Sequence, residues 1–314
     1  MYTLADAQRV FKANRPTLSD GSLRTYSSII VNLGKQLDFP SVEPAFLAKH
    51  AAEISGHFQH LLPKNRKTRL SALVVYLDKQ KGTEDAVAIF RRLMMDDSKK
   101  ADEESKSQVM NEKQKEGMIP WKDVLSKYEE LKAEVAPLWK KEKLDKRQFH
   151  KLQIFVLLSC LVLIPPRRSQ DWTEFKIREV DPAKDNHLMI ETVGRGKAKK
   201  TTAMLVFNVF KTAKVLGQQK EVIPDELTQI LKEWYRVNQH EYLLMNIGQS
   251  GKVNQSQLAV WLKEFFGTPT STSMLRHSFL SEKYANVPAL KEMEATAASM
   301  GQKDITTALS YVKK

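Results

Sequence analysis

From Ser22 to Leu37 the run SLRTYSSIIVNLGKQL repeats its apolar residues every three or four positions, the period of an amphipathic helix. The preceding residues from Thr17 supply Ser and Asp side chains suited to starting it. The same period predicts helices in LSALVVYLDKQ, WKDVLSKYEELKAEVAPLWKK and DKRQFHKLQIFVLLSCLVLIPP. The last of these stops at Pro165-Pro166, because proline has no amide hydrogen to continue the ladder and disfavours helix in the residue before it. The pattern then changes. HLMIETVG (187–194), AMLVFNVF (203–210) and QQKEVIP (218–224) alternate and carry β-branched residues, which predicts strands. From DELTQILKEWYRVN onward the helical period returns. The expected fold is mainly α, with a small antiparallel β-sheet in the C-terminal part.

Between these runs, residues 96–117 (DDSKKADEESKSQVMNEKQKEG) hold almost no large apolar side chain. Such a stretch contributes little to a core, so it is a linker or an exposed helix. The 314 residues exceed one typical domain and suit two. The expected division is a helical domain over 1–96, a charged linker over 97–117 and a second domain over 118–314.

Composition changes this picture in one respect. Hydrophobic residues make up 42% and charged residues 28%, as in ordinary globular proteins, but the formal net charge is +13. An excess of that size points to a polyanionic partner, with nucleic acid first. Lys64, Arg66, Lys67 and Arg69 crowd the first turn of a predicted helix, where the helix dipole disfavours cations. A phosphate at that end would offset the conflict. The single cysteine, Cys160, sits in an apolar run and reads as a small buried hydrophobe. One cysteine forms no internal disulfide, and the N-terminal residues show no signal-peptide core. The expected location is cytoplasmic or nuclear, not secreted, and without a membrane partner. No Gly-rich phosphate loop of the P-loop or dinucleotide kind is present.

Four separated segments carry candidate chemistry. In IPPRRSQDWTEFKI (164–177) a proline break delivers Arg167 and Arg168 to the start of a short helix. VFKTAKVLGQQKEVIP (209–224) reads as strand, turn and returning strand, with Lys211 and Lys214 in the turn. TSTSMLRHSFLSEKY (270–284) places Arg276-His277 inside a helical pattern, and Gly301-Gln302 stands nine residues before Tyr311.

In order and approximate spacing these blocks resemble the tyrosine recombinase, or phage-integrase-like, family over residues 150–314. KTAK with LRHSFLS is most similar to its variants in eukaryotic DNA viruses and virus-like transposons. The resemblance implies a two-domain DNA clamp: a helical core-binding domain and a catalytic domain that cuts and rejoins DNA through a 3′-phosphotyrosyl link. It implies double-stranded DNA and a homo-oligomer, dimer to tetramer, as partners. No metal and no other cofactor is expected. Elementary chemistry agrees with the residue types. Arginine stays charged and offers a fork to phosphate, lysine can protonate a leaving oxygen, and a tyrosine of pKa about 10 is a usable nucleophile once its proton is removed.

On this resemblance Arg168 and Arg276 are the phosphate-binding arginines, Lys211 the hairpin lysine and Tyr311 the nucleophile. Arg168 is preferred to Arg167 because counting from it puts Trp172 and Phe175 on the family's apolar positions; Arg167 is left for the DNA backbone. Lys197, Lys199 and Lys200 in GRGKAKK are rivals to Lys211, and otherwise form a basic loop near phosphates. Arg24, Lys64, Arg66, Lys67, Arg69 and Lys214 are further expected DNA contacts, with His277 in a supporting position beside Arg276. Two positions depart from the family pattern: Ser273 and Gln302 stand where histidine, or histidine or tryptophan, is usual. Both can hydrogen-bond a phosphate oxygen, and neither is a base near neutral pH. Only three residues follow Tyr311, where many family members carry a helix that couples subunits, so coupling is expected to be weak or to use another element. Strand relaxation of the type IB topoisomerase kind and a catalytically degenerate DNA-binding descendant remain the alternatives.

Overall fold

The computed structural model describes residues 2–193, 200–300 and 305. It is mainly helical with a small four-stranded sheet, and the chain divides into two compact units. One comprises the described residues of Met1–Val109 and Pro288–Lys314, and the other those of Met110–Val287.

The first unit opens with α1 (Leu4–Asn14) and α2 (Asp20–Gln36). Thr3 and Asp6 cap α1 reciprocally, so two orphan amides at its start are satisfied. On α2 the buried positions Leu23, Ser27, Ile30 and Leu33 follow the three-and-four spacing seen in the sequence. Gly34 continues that stripe because Val42 packs where a side chain would go: a Cβ there would lie 2.4 Å from its Cγ1. Short helices α3 (Pro44–Lys49) and α4 (Ala51–His57) lead to α5 (Pro63–Leu77) and α6 (Glu84–Ser107). The amide of Asn14 donates to the carbonyls of Val75 (3.0 Å) and Tyr76 (2.8 Å), using two of the carbonyls that α5 leaves open at its end.

Arg66 on α5 holds Asp97 on α6 through two nitrogens, one at 2.7 Å, and a third nitrogen reaches the carbonyl of Gln59. Asp97 is only 2% exposed. Past Asp97 the helix leaves its core, yet it continues to Ser107 on residues that favour helix, so the first part of the segment read as linker or exposed helix is helix.

In the second unit α7 (Glu112–Gly117) is followed by α8 (Trp121–Val135) and α9 (Lys146–Val162). The α8 stripe of Trp121, Val124, Tyr128, Leu131 and Val135 packs on α9, which is buried on nearly every side from Phe155 to Leu161 and encloses Cys160. After α9 come α10 (Ser169–Thr173), β1 (Phe175–Lys176), β2 (Asn186–Val193), β3 (Lys200–Phe207), α11 (Ala213–Leu216), β4 (Gln219–Val222), α12 (Asp225–Val237), α13 (Gln255–Phe266) and α14 (Thr272–Lys283). The sheet order is β1-β2-β3-β4. It is mixed rather than wholly antiparallel, because β1 pairs in parallel with β2 through Phe175↔Asn186 and Lys176↔His187. That two-residue strand is too short to show alternation. In the antiparallel β3–β4 ladder Leu205 faces Glu221 and Phe207 faces Gln219, so Gln219 and Glu221 share the face that carries the core residues Leu205 and Phe207.

The last described helix, α15 (Leu290–Ser299), groups with the first unit, where the sequence had placed residues 118–314 together. It meets the far end of α6: Lys106 pairs with Glu294 at 2.7 Å, and Gln108 accepts from the amide of Leu290 at 2.8 Å. Among the described residues no helix is long and apolar enough to cross a membrane.

Removing Asp97 leaves the half-buried Arg66 guanidinium without its carboxylate partner. Asp97→Ala is expected to destabilise the first unit by about 3 kcal/mol, read as a lower urea midpoint at unchanged slope. Replacing both partners by apolar residues of similar volume is expected to restore most of the loss.

Candidate functional site

Pro165 and Pro166 end α9 and turn the chain, so that the two arginines arrive in extended backbone before α10. They meet different surroundings. Arg167 lies over the Phe207 ring, 3.8 Å from its centroid, and donates from Nε to Asp171 (2.8 Å) and from Nη2 to Gln219 (2.9 Å). It braces the end of β3 and the start of β4 against α10. Arg168 is the N-cap residue of α10, half-buried, and its side chain has no hydrogen-bond or ion-pair partner among the described residues.

Arg276 reaches the same place from α14. It too is half-buried and makes no ion pair among the described residues. Together with Arg167, Asp171, Gln219 and Glu221, Arg168 and Arg276 line one cavity of about 260 Å³. The hydroxyls of Ser169 and Thr272, 2.8 Å apart, tie the first residue of α10 to the first residue of α14, which fixes the two arginine-bearing helices against each other. Asn186 does the same for the far wall. Fully buried at the start of β2, its amide donates to the carbonyls of Asp171 (3.0 Å) and Val209 (2.8 Å) and accepts from the amides of Asn208 (2.8 Å) and Val209 (2.7 Å). The chain leaving β3 is thereby sewn to α10.

The electrostatics follow from three cations meeting two carboxyls. Burial, and then the neighbouring Arg168, push the Arg276 guanidinium below its ordinary pKa. Burial pushes Asp171 up, against the pull of Arg167, and one of its oxygens is buried without a partner. Glu221 is also raised by burial, with Arg167 pulling the other way. An anion entering here would relieve the repulsion between guanidinium groups and accept forks from two directions.

Ser273 is exposed in the first turn of α14, three residues before Arg276 and therefore on a neighbouring part of the same helix face. His277 is exposed, with Nε2 3.5 Å from the Gln114 amide of α7. Lys211 is exposed between Phe210 and Thr212, two residues of the cavity wall, and Lys214 is exposed on α11. In the first unit Arg24 and Lys64 are exposed and Lys67 and Arg69 partly so, whereas Arg66 is committed to Asp97. Arg66, expected at DNA, thus has a structural partner from α6 that no local pattern in α5 reveals. Lys197, Lys199, Gln302 and Tyr311 lie outside the described residues, and of Lys200 only its place at the start of β3 is described.

Sequence reasoning missed Asp171, Asn186, Glu221 and the Ser169–Thr272 pair. Only Asp171 had a local signal, lying four residues after Arg167 in the segment that opens a short helix. Asn186→Ala would leave several backbone groups unpaired, each costing about 1–3 kcal/mol. It is expected to lower the urea midpoint of the second unit strongly and, in the variant that still folds at low temperature, to abolish stabilisation by inorganic phosphate in thermal melts. No family model matches this sequence, and no curated protein matches it either.

Proposed function

We propose that the chain is a DNA strand-breaking and rejoining enzyme of the tyrosine recombinase kind, with the arginine cavity of the second unit as the seat of the scissile phosphate. What supports the reading is that Arg168 and Arg276, far apart in the chain, line one cavity with their guanidinium groups unpaired among the described residues. Arginines recruited only for surface charge or for folding would be dispersed, or paired as Arg66 is with Asp97.

On this reading the two forks hold the non-bridging oxygens and stabilise the charge that grows on them during attack. The Tyr311 phenol attacks phosphorus, and the sugar 5′-oxygen leaves with a proton from a lysine: Lys211 in the β3–β4 connection, Lys197 or Lys199 between β2 and β3, or Lys200 at the start of β3. The phosphotyrosyl ester keeps the bond energy, so a freed 5′-hydroxyl can rejoin the strand without ATP. Ser273 and Gln302 contribute hydrogen bonds to the phosphate. Arg167 serves as the brace that orients the wall. The first unit supplies the other half of a DNA clamp through Arg24, Lys64, Lys67 and Arg69, and two to four copies assemble on DNA.

The test is a nicked suicide duplex, on which cleavage releases a short strand and traps the adduct. Wild-type protein is expected to form a covalent complex that survives denaturation and disappears in Tyr311→Phe. Arg168→Ala and Arg276→Ala are each expected to slow its formation by about 10²-fold or more. No adduct on any DNA the protein binds would mark a DNA-binding descendant without chemistry. Relaxation of supercoiled plasmid at catalytic amounts, without a specific site, would mark a topoisomerase instead.

A further inference from the structure

The cavity holds one ionisable group to which the reading above gives no role. Glu221 projects from β4 on the same sheet face as Gln219, and it lines the cavity with Arg167, Arg168 and Arg276. It is half-buried, and among the described residues it has neither an ion-pair nor a hydrogen-bond partner. Leaving a carboxyl unpaired at the wall of a cavity lined by arginines has a cost for folding, since burial raises its pKa and only Arg167 opposes this to a significant degree. A group serving only stability would be paired, as Asp171 is with Arg167.

We propose that Glu221 is the proton acceptor of this site, taking the proton of the hydroxyl that attacks a phosphodiester held by Arg168 and Arg276. This rests on the strand-breaking reading and supplies the base that Ser273 and Gln302 cannot provide. As the new oxygen–phosphorus bond forms, the hydroxyl proton passes to the Glu221 carboxylate. The phosphorus–O5′ bond breaks with its electron pair going to O5′, which takes a proton from the lysine. In rejoining, the 5′-hydroxyl returns its proton to the lysine and the departing phenolate takes one back from Glu221, so both groups end as they began.

The other carboxyl is unsuited to this part. Asp171 is 3% exposed and already accepts from Arg167, so it is the positioning residue for that arginine. Around Glu221 the facing charges are Arg167 and Arg168 from the chain before α10, Asp171 from α10 and Arg276 from α14, with exposed Lys211 and Lys214 on the connection leading to β4. Partial burial raises the pKa of Glu221 above that of an ordinary carboxyl, against the pull of Arg167, which makes it a stronger proton acceptor than a solvated glutamate.

The experiment measures covalent adduct formation on the nicked duplex from pH 4 to 9, with DNA binding measured in parallel. Wild type is expected to show an acid limb, in which the rate falls about tenfold per pH unit below the pKa of Glu221. Glu221→Gln is expected to bind DNA no more weakly, to lose about 10²- to 10⁴-fold in rate and to lose the acid limb. Glu221→Ala is expected to regain rate with added formate or acetate, which a merely structural loss would not do. If wild type forms the adduct and Glu221→Gln matches it in rate, or slows while keeping the acid limb, the assignment of Glu221 is overturned and the recombinase reading stands. If wild type binds the duplex and forms no adduct, both are overturned.

Discussion

Two guanidinium groups brought together repel, and the second unit is organised so that this repulsion is held in place. Its mark is the depressed pKa of Arg276, for which burial is the first cause and Arg168 the second. Neither group is neutralised by a carboxylate of its own among the described residues, since Asp171, whose charge acts on both, is bonded to Arg167. Strain of this kind persists only where the surroundings are stiff. Here the stiffness comes from the proline pair that ends α9, from the hydroxyl contact between α10 and α14, and from Asn186 beneath the wall.

The cavity thus gathers positive charge from three arginines, while the core around it is closely packed. Trp172, Phe175 and Phe207 form one buried aromatic cluster under α10, with ring centroids 5.6 to 6.0 Å apart. The cluster fixes the floor from which Arg167 rises to stack on Phe207. Preorganised cations of this kind need no rearrangement when charge develops on a phosphate, which is the physical advantage over flexible surface lysines. Arg178 shows the contrasting use of the same residue type. It stacks on Tyr235 and donates to the carbonyls of Tyr235 and Asn238, so its donors are spent on the fold.

Much of this was legible in the sequence wherever a local rule decides. The helical period of α2, α8 and α12, the alternation of β2 and β3, and the stop at Pro165-Pro166 all depend on neighbours within one or two turns. What the sequence left open depends on partners far along the chain. Whether Arg66 faced DNA or the core turned on Asp97 in the next helix, and the parallel pairing of β1 turned on Asn186 and His187. The segment after Asp96, poor in apolar residues, was read as linker or exposed helix; helix propensity carries α6 to Ser107, and Gly117 then fits where a Cβ would lie 2.7 Å from the Pro269 carbonyl oxygen. Helix phase separates Arg168 from Arg167 only through their own neighbours in the chain, whereas Gln219 and Phe207, which give Arg167 its distinct surroundings, come from the distant β3 and β4.

On the proposed reading Arg168 and Arg276 jointly hold one tetrahedral oxyanion. Diffraction from crystals of the full chain soaked in tungstate, a phosphate mimic with strong anomalous scattering, tests it directly. One dominant anomalous peak is expected within hydrogen-bonding reach of both guanidinium groups, absent from Arg276→Ala crystals. A cavity without tungstate, or a peak on Arg168 or Arg276 alone with the other arginine turned to a protein carboxylate, would contradict it.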